Sequence, residues 1–184
     1  MTGRHRKNLP SVWLMTDERI ADATLLATVA RLPRGRAGIV FRHYRTPATQ
    51  RRALFAQIAG IAHRRRLMIV LAGTARTAAA WKADGWHGPN NRTVCRPLIH
   101  SQAAHDVTEI KAAERSDANL LFLSPLFPTR SHPGATALGR AGFASLARQS
   151  ILPVIALGGV RSCHQRQLKI LGASGWAAID GLTT

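Results

Sequence analysis

Eight short apolar runs rich in Val, Ile, Leu and Ala recur along the chain, separated by Ala-rich and Arg-rich amphipathic segments. The runs occupy residues 12–16, 38–43, 67–72, 85–87, 94–99, 119–124, 153–157 and 175–179. Helical periodicity covers 22–31, 46–66, 74–83, 101–115, 140–150 and 161–171. Near-continuous apolar strands alternating with helices suit a parallel sheet, whose faces are both covered and whose strands are joined by crossovers. Eight such units close a sheet on itself, so the pattern predicts an α/β fold, a (β/α)₈ TIM barrel. Two places break the rhythm. The stretch 87–93 is too short for a helix, which predicts a bare loop as the fourth crossover. The sequence stops a few residues after the eighth run, which predicts a shortened barrel without its last covering helix.

With 184 residues and 46% hydrophobic side chains, such a barrel needs no disulfide or metal to build its core. The expected division is a basic N-terminal segment over 1–10 and one barrel domain over 11–184. Cys95 and Cys163 are too few and too far apart for a disulfide framework or a zinc pattern and are expected as ordinary thiols. No apolar run approaches the roughly 20 residues of a membrane helix, and the basic opening lacks a hydrophobic segment. A cytoplasmic protein with no membrane partner is the expectation. The net charge of +17 attracts phosphate and nucleic acid through its long-range field. The excess is almost entirely Arg in an Ala-rich chain, a composition that codon bias alone also produces. Aromatic residues are only 5%, with no stacking platform, so nucleic acid ranks last among the expected partners. The run Arg64-Arg65-Arg66 falls where a helix ends and cations complement its dipole.

A parallel barrel holds its reacting groups at the carboxyl ends of its strands and commonly a phosphate after strands seven and eight. Gly158-Gly159 follows the seventh run directly and precedes a helical segment, which predicts an anion grip of backbone N–H groups. The same end should carry Arg42, His43, His87, His100, Ser124 and the long loop bearing Thr129, Arg130, Ser131 and His132. Cations, imidazoles and hydroxyls suit binding an anion and moving a proton, and few carboxylates are there to hold a divalent metal. His43, His87, His100 and His132 could instead converge on zinc, though no close ligand pair anchors such a site. His100 is expected to end a strand directly before Ser101 as helix N-cap, which makes it the catalytic candidate. His63, His105 and His164 fall on expected helices and read as solvated surface residues.

The order of several motifs resembles the thiamine phosphate synthase family, which includes the thiazole tautomerases. Trp13-Leu14-Met15-Thr16-Asp17 resembles its opening strand, and Ala83-Asp84-Gly85-Trp86-His87 its fourth. Ser124-Pro125-Leu126-Phe127-Pro128-Thr129, followed by Pro133-Gly134 and Leu138-Gly139, resembles its long loop. Pro153-Val154-Ile155-Ala156-Leu157-Gly158-Gly159-Val160 resembles its strand-seven phosphate motif. The resemblance implies thiamine biosynthesis: a pyrimidine diphosphate ionises with magnesium's help, and the nitrogen of a thiazole phosphate captures the cation.

Several positions depart from the family pattern. Val40, Arg42 and Tyr44 stand where the family has Gln, Arg and Lys, and Ala72-Gly73 where it has the metal-binding Asn-Asp. The loop of the second metal-binding Asp is cut to Pro89-Asn90-Asn91. His132 replaces a lysine, Leu98 a serine, and Asp180 a small polar residue. All but Asp180 gather on the magnesium and diphosphate half, so no metal ligand and no cofactor is expected, with magnesium implied by resemblance alone; Asp180 falls on the thiazole-phosphate half, where its charge opposes a phosphate. The thiazole-phosphate half keeps Thr129, Ser131, Ser124, Gly158 and Gly159, with His100, Arg42 and His132 as the expected catalytic groups. By the resemblance, His100 corresponds to the proton-transfer histidine of the tautomerases. The expected ligands are phosphorylated thiazole or pyrimidine compounds, the expected activities coupling or tautomerisation. A barrel that only binds such ligands, and assembly with further copies, stay open as alternatives.

Overall fold

The structure is a computed structural model, and it describes residues 9–89, 97–129, 134 and 136–182. Strands β1 (Val12–Met15), β2 (Ala37–Phe41), β3 (Met68–Ala72) and β4 (Gly85–His87) alternate with helices α1 (Asp22–Arg31), α2 (Ala48–Arg65) and α3 (Ala75–Ala80). Then follow β5 (Ile99–Ala104), α4 (Val107–Arg115), β6 (Leu120–Leu123), α5 (Gly139–Arg148), β7 (Val154–Ala156), α6 (Gln165–Ile170) and β8 (Gly175–Ala178). Each strand pairs in parallel with the next, and β8 returns to β1 through Val12 opposite Trp176 and Leu14 opposite Ala178. The result is the expected closed eight-stranded barrel.

Period-two alternation sorts the side chains into an interior and an outer layer. Trp13, Met15, Val40, Val70, Ile99, Leu120, Phe122 and Ile155 point inward and fill the barrel. Their neighbours Leu14, Ile39, Phe41, Leu71 and Trp86 point outward beneath α1, α2 and α3. Leu121, Leu123, Val154 and Trp176 do the same beneath α4, α5 and α6. Gly38 makes room for the largest interior ring, since a Cβ there would lie 2.5 Å from the Trp13 indole.

Strand five differs from the expectation. It runs Ile99–Ala104 instead of 94–99, of which 94–96 lie outside the described residues, and α4 begins at Val107 instead of Ser101. Asp106 is the helix cap, accepting from the Glu109 N–H at 2.8 Å, while Ser101 is buried inside the strand. The cause is that polar Ser101, Gln102 and small alanines give no apolar signal, yet their backbones pair with Leu120–Leu123 as well as any Val or Ile would.

Smaller corrections occur at element ends. The seventh crossover is not one helix but a 3-10 turn (Ser162–His164) followed by α6, and α3 stops at Ala80. Between β4 and β5 the described residues hold no helix, with 90–96 outside the description. After β8 the described chain makes only the 3-10 turn Asp180–Leu182. Among the described residues no helix is long and apolar enough to cross a membrane.

Candidate functional site

A cavity of about 920 Å³ opens where the carboxyl ends of β2, β5, β6, β7 and β8 meet. Its wall includes Gly158 and Gly159, at φ +92° and +62°, backbone that a side chain would strain. Space forbids a side chain as well. A Cβ on Gly158 would stand 2.7 Å from the Pro125 Cα, and one on Gly159 2.6 Å from the Pro128 carbonyl oxygen. The loop after β6 therefore lies directly on this turn, with the Leu126 N–H donating to Leu157 O (2.9 Å) and Phe127 N–H to Gly158 O (3.1 Å). Carbonyls of the turn are spent on the loop. Among the described residues no acceptor pairs with the Gly158 or Gly159 N–H, so two donors beside the cavity stay available for an anion.

Among the described residues, the cavity's charged lining consists of Arg42, Arg161 and Asp180, together with the imidazole of His105. Arg42 is held by its strand neighbours: its Nε donates to Thr16 O at 2.8 Å and its Nη2 to the Asp17 carboxylate at 3.2 Å. Burial works to raise the Asp17 carboxyl, but hydrogen bonds from Arg19 and the charges of Arg19 and Arg42 outweigh it and hold it below the usual range. Thr16 Oγ1 accepts the Arg42 backbone N–H (2.9 Å) and also meets His43 Nδ1 (2.9 Å). The buried His43 thus clamps the base of the arginine, stacked flat on Phe41 at 4.7 Å.

His87 points into the barrel, edge-on to Phe122, with Nδ1 3.1 Å from Ser101 Oγ. Burial, with Arg42 and His100 nearby, pushes its pKa down to about 4. Burial likewise lowers His43. Both histidines are therefore neutral in the folded protein at neutral pH, whereas the unfolded chain takes up their protons near pH 6.5. Stability should fall as pH drops from 6.5 to 4, by at most about 3 kcal/mol from His87. Urea melts across that window check it: His87→Gln should flatten the dependence, and an unchanged slope would remove His87 as its source.

The structure brings Arg42, Ser124, Thr129, Gly158 and Gly159 to one cavity, while Ser131 and His132 lie outside the described residues. His100 is not brought there. It is the second residue of β5, so it faces out of the barrel while Ile99 and Ser101 face in. Its ring stacks on Trp86 at 4.2 Å, and its Nε2 donates to Gly88 O at 2.8 Å. His105, expected as a solvated residue on a helix, is exposed as expected but stands just beyond the carboxyl end of β5, where it also lines the cavity. Its Nδ1 lies 2.7 Å from Glu109 Oε2, which also accepts its backbone N–H. Arg161, Ser162, Cys163 and Gly181 are further lining residues that the sequence did not single out. The only signal for His105 was its spacing of four from Glu109.

The ends of β3 and β4 have a different chemistry. Ala72-Gly73 and His87-Gly88 place no side-chain oxygen there, and the Gly73 N–H donates to His87 O (3.0 Å). The Arg51 guanidinium lies over this corner, its Nη2 donating to Ala72 O (2.7 Å) and Arg42 O (2.9 Å), beside Phe41 and Trp81. A fixed cation on those carbonyls opposes a divalent ion. Among the described residues no group of three His, Cys, Asp or Glu could hold a metal ion.

Known proteins supply an independent line. The sequence profile of the family described as thiamine monophosphate synthase matches residues 12–182. The chain is similar to the thiamine-phosphate synthase of Methanospirillum hungatei, 25% identical over 182 residues that cover 93% of this chain and 88% of that one. It is also similar to that of Methanococcus vannielii, 30% identical over 112 residues, or 57% of this chain and 54% of the other. Among solved structures, the thiamine phosphate pyrophosphorylase of Pyrococcus furiosus shares the fold with a TM-score of 0.79 at 21% identity, over 97% of this chain and 89% of that one.

Proposed function

This chain belongs to the thiamine monophosphate synthase family, and from that premise we propose that its cavity binds a phosphorylated thiazole of thiamine biosynthesis and moves a proton on it. The phosphate lies against the Gly158 and Gly159 N–H groups, with Thr129 and Arg161 beside it. The observation that carries the reading is the exposed His105 on the same cavity, held by Glu109 one helical turn away. A carboxylate that accepts from Nδ1 orients the imidazole and leaves Nε2 as the nitrogen that takes a proton from one position of the ring system and returns it to another. The step needs no redox partner and no metal. His105 takes the base's role first expected of His100, whose Nε2 proton is committed to Gly88 O.

Among the described residues, the donor set at the ends of β3 and β4 does not fit a magnesium ion, which argues against metal-assisted coupling. A thermal-shift series should show stabilisation by thiazole phosphate and thiamine phosphate that is independent of magnesium. Pyrimidine diphosphate stabilising only with magnesium would restore the coupling reading. Hydrogen exchange on the thiazole phosphate, followed by NMR, tests the base. His105→Ala should abolish exchange, a loss on the order of 100-fold or more, and keep the phosphate-induced shift. His100→Ala should lower stability and leave exchange in place. Exchange surviving His105→Ala removes the proton-transfer role, and binding without any exchange in the unmodified protein leaves a carrier of the ligand.

A further inference from the structure

We propose that the end of the barrel opposite the cavity, at the feet of α1 and α2, is a binding surface for the phosphate backbone of duplex nucleic acid. Between Ala23 and Ala83 the chain has twelve Lys or Arg and no Asp or Glu. Folding concentrates half of these on one end. Arg31 closes α1, Arg34 and Arg36 occupy the turn into β2, and Arg64, Arg65 and Arg66 end α2. The two segments touch: the Gly35 N–H donates to Arg65 O at 3.1 Å, and Arg65 Nη2 donates to Leu32 O at 2.7 Å. Five of the six guanidinium side chains belong to exposed residues, Arg65 being the one drawn partly inward. The carboxylates that flank the stretch give little relief. Asp22 begins α1 at the opposite end of that helix, and the Asp84 carboxylate accepts from the Ile69 N–H at 2.8 Å.

Two helix ends account for part of this charge, since cations complement the dipole there. They do not account for Arg34 and Arg36, which lie outside any helix. Guanidinium groups present paired donors to phosphate oxygens, and a two-segment patch matches a backbone better than a single bound anion. The choice among polyanions follows from what the patch lacks. A membrane surface calls for apolar side chains to insert beside the charges, yet among the described residues the exposed large hydrophobic ones, Tyr44, Val107, Ile151 and Ile170, are all on other segments, with Ile151 and Ile170 at this end of the barrel but at the feet of α5 and α6. A single strand calls for an aromatic platform, and none stands among these arginines. What remains is sequence-independent contact with a duplex.

The test uses the full chain and fluorescently labelled duplexes of about 20 base pairs, one DNA and one RNA, titrated between about 50 and 200 mM salt. A quadruple variant, Arg34→Ala, Arg36→Ala, Arg64→Ala and Arg66→Ala, is compared with Arg115→Ala, Arg148→Ala, Arg166→Ala and Lys169→Ala, which removes the same charge from α4, α5 and α6, whose feet share this end of the barrel but stand away from α1 and α2. The patch variant should lose at least tenfold in affinity at about 150 mM salt, and its log–log salt slope should drop by about 0.9 per phosphate contact removed. The control variant should change less than about twofold, and the two duplexes report whether the A-form or B-form backbone fits better. Equal losses in both variants would mean diffuse attraction and overturn the proposal. So would binding by the unmodified chain that vanishes above low salt, or tighter binding to phosphatidylserine vesicles than to either duplex. Thermal unfolding of both variants verifies that each is folded, and ligand shifts at the opposite cavity should not move.

Discussion

Gly159→Ala is expected to lower both the stability of the barrel and its affinity for phosphate. Two costs add at this position. The backbone at φ +62° disfavours any Cβ by about 1–2 kcal/mol, and the new methyl would meet the Pro128 carbonyl at 2.6 Å and the Phe127 Cβ at 2.8 Å. Neither neighbour is the loose end of a flexible side chain. The loop must lift, and with it Thr129, which lines the same cavity. Gly35→Ala separates the two costs, because Gly35 has a similar φ of +67° with nothing within 4 Å of the added Cβ. We expect Gly35→Ala to cost the backbone strain alone. Gly159→Ala should cost about 1–3 kcal/mol more, as overpacking does, with phosphate affinity down at least tenfold. Urea unfolding and phosphate titration of the two variants decide the matter. Equal stabilities with unchanged affinity would mean that the loop does not bear on the turn.

Trp13→Ala should be the most destabilising single change in the barrel interior. The indole is fully buried, meets Phe122 edge-on at 5.5 Å and 88°, and donates its Nε1 proton to Pro10 O at 2.7 Å. Its ring fills the space that Gly38 leaves on the neighbouring strand. Truncation removes the indole from a closed barrel whose strands cannot move inward to fill the void, so the loss should lie near the upper part of the usual range of about 3–5 kcal/mol. For a protein of this size that is a drop in Tm on the order of 10 °C. A loss below about 1 kcal/mol would show that the interior repacks, contrary to the rigid closure of β8 onto β1.

Much of the barrel was legible because a parallel strand buried on both faces has to be apolar along its length. Val12–Met15, Ala37–Phe41, Met68–Ala72 and Leu120–Leu123 all declare themselves this way. Strand five does not, since Ser101 and Ala103 face the interior near its open end, where polar and small side chains are tolerated. That one misplaced strand misplaced the histidines. It turned His100 into a strand end and His105 into part of a helix, where its spacing of four from Glu109 reads as an ordinary surface pair. The glycine turn was legible for the opposite reason, because Gly158-Gly159 directly after an apolar run is a local feature whose meaning depends only on its position in the strand count.

By itself the sequence determined the number and order of the strands, the closed parallel architecture, the glycine turn and the absence of side-chain oxygens at Ala72-Gly73, since each follows from residue type and spacing along one segment. Tertiary structure alone decided which histidine reaches the cavity, that Arg51 caps the strand-three corner, and that Arg34 and Arg36 join Arg64 and Arg66 on one end. These depend on strand register and on contacts between segments distant in sequence. A shift of one residue in a strand exchanges its inward and outward faces, and no periodicity in the sequence records contacts made across the fold.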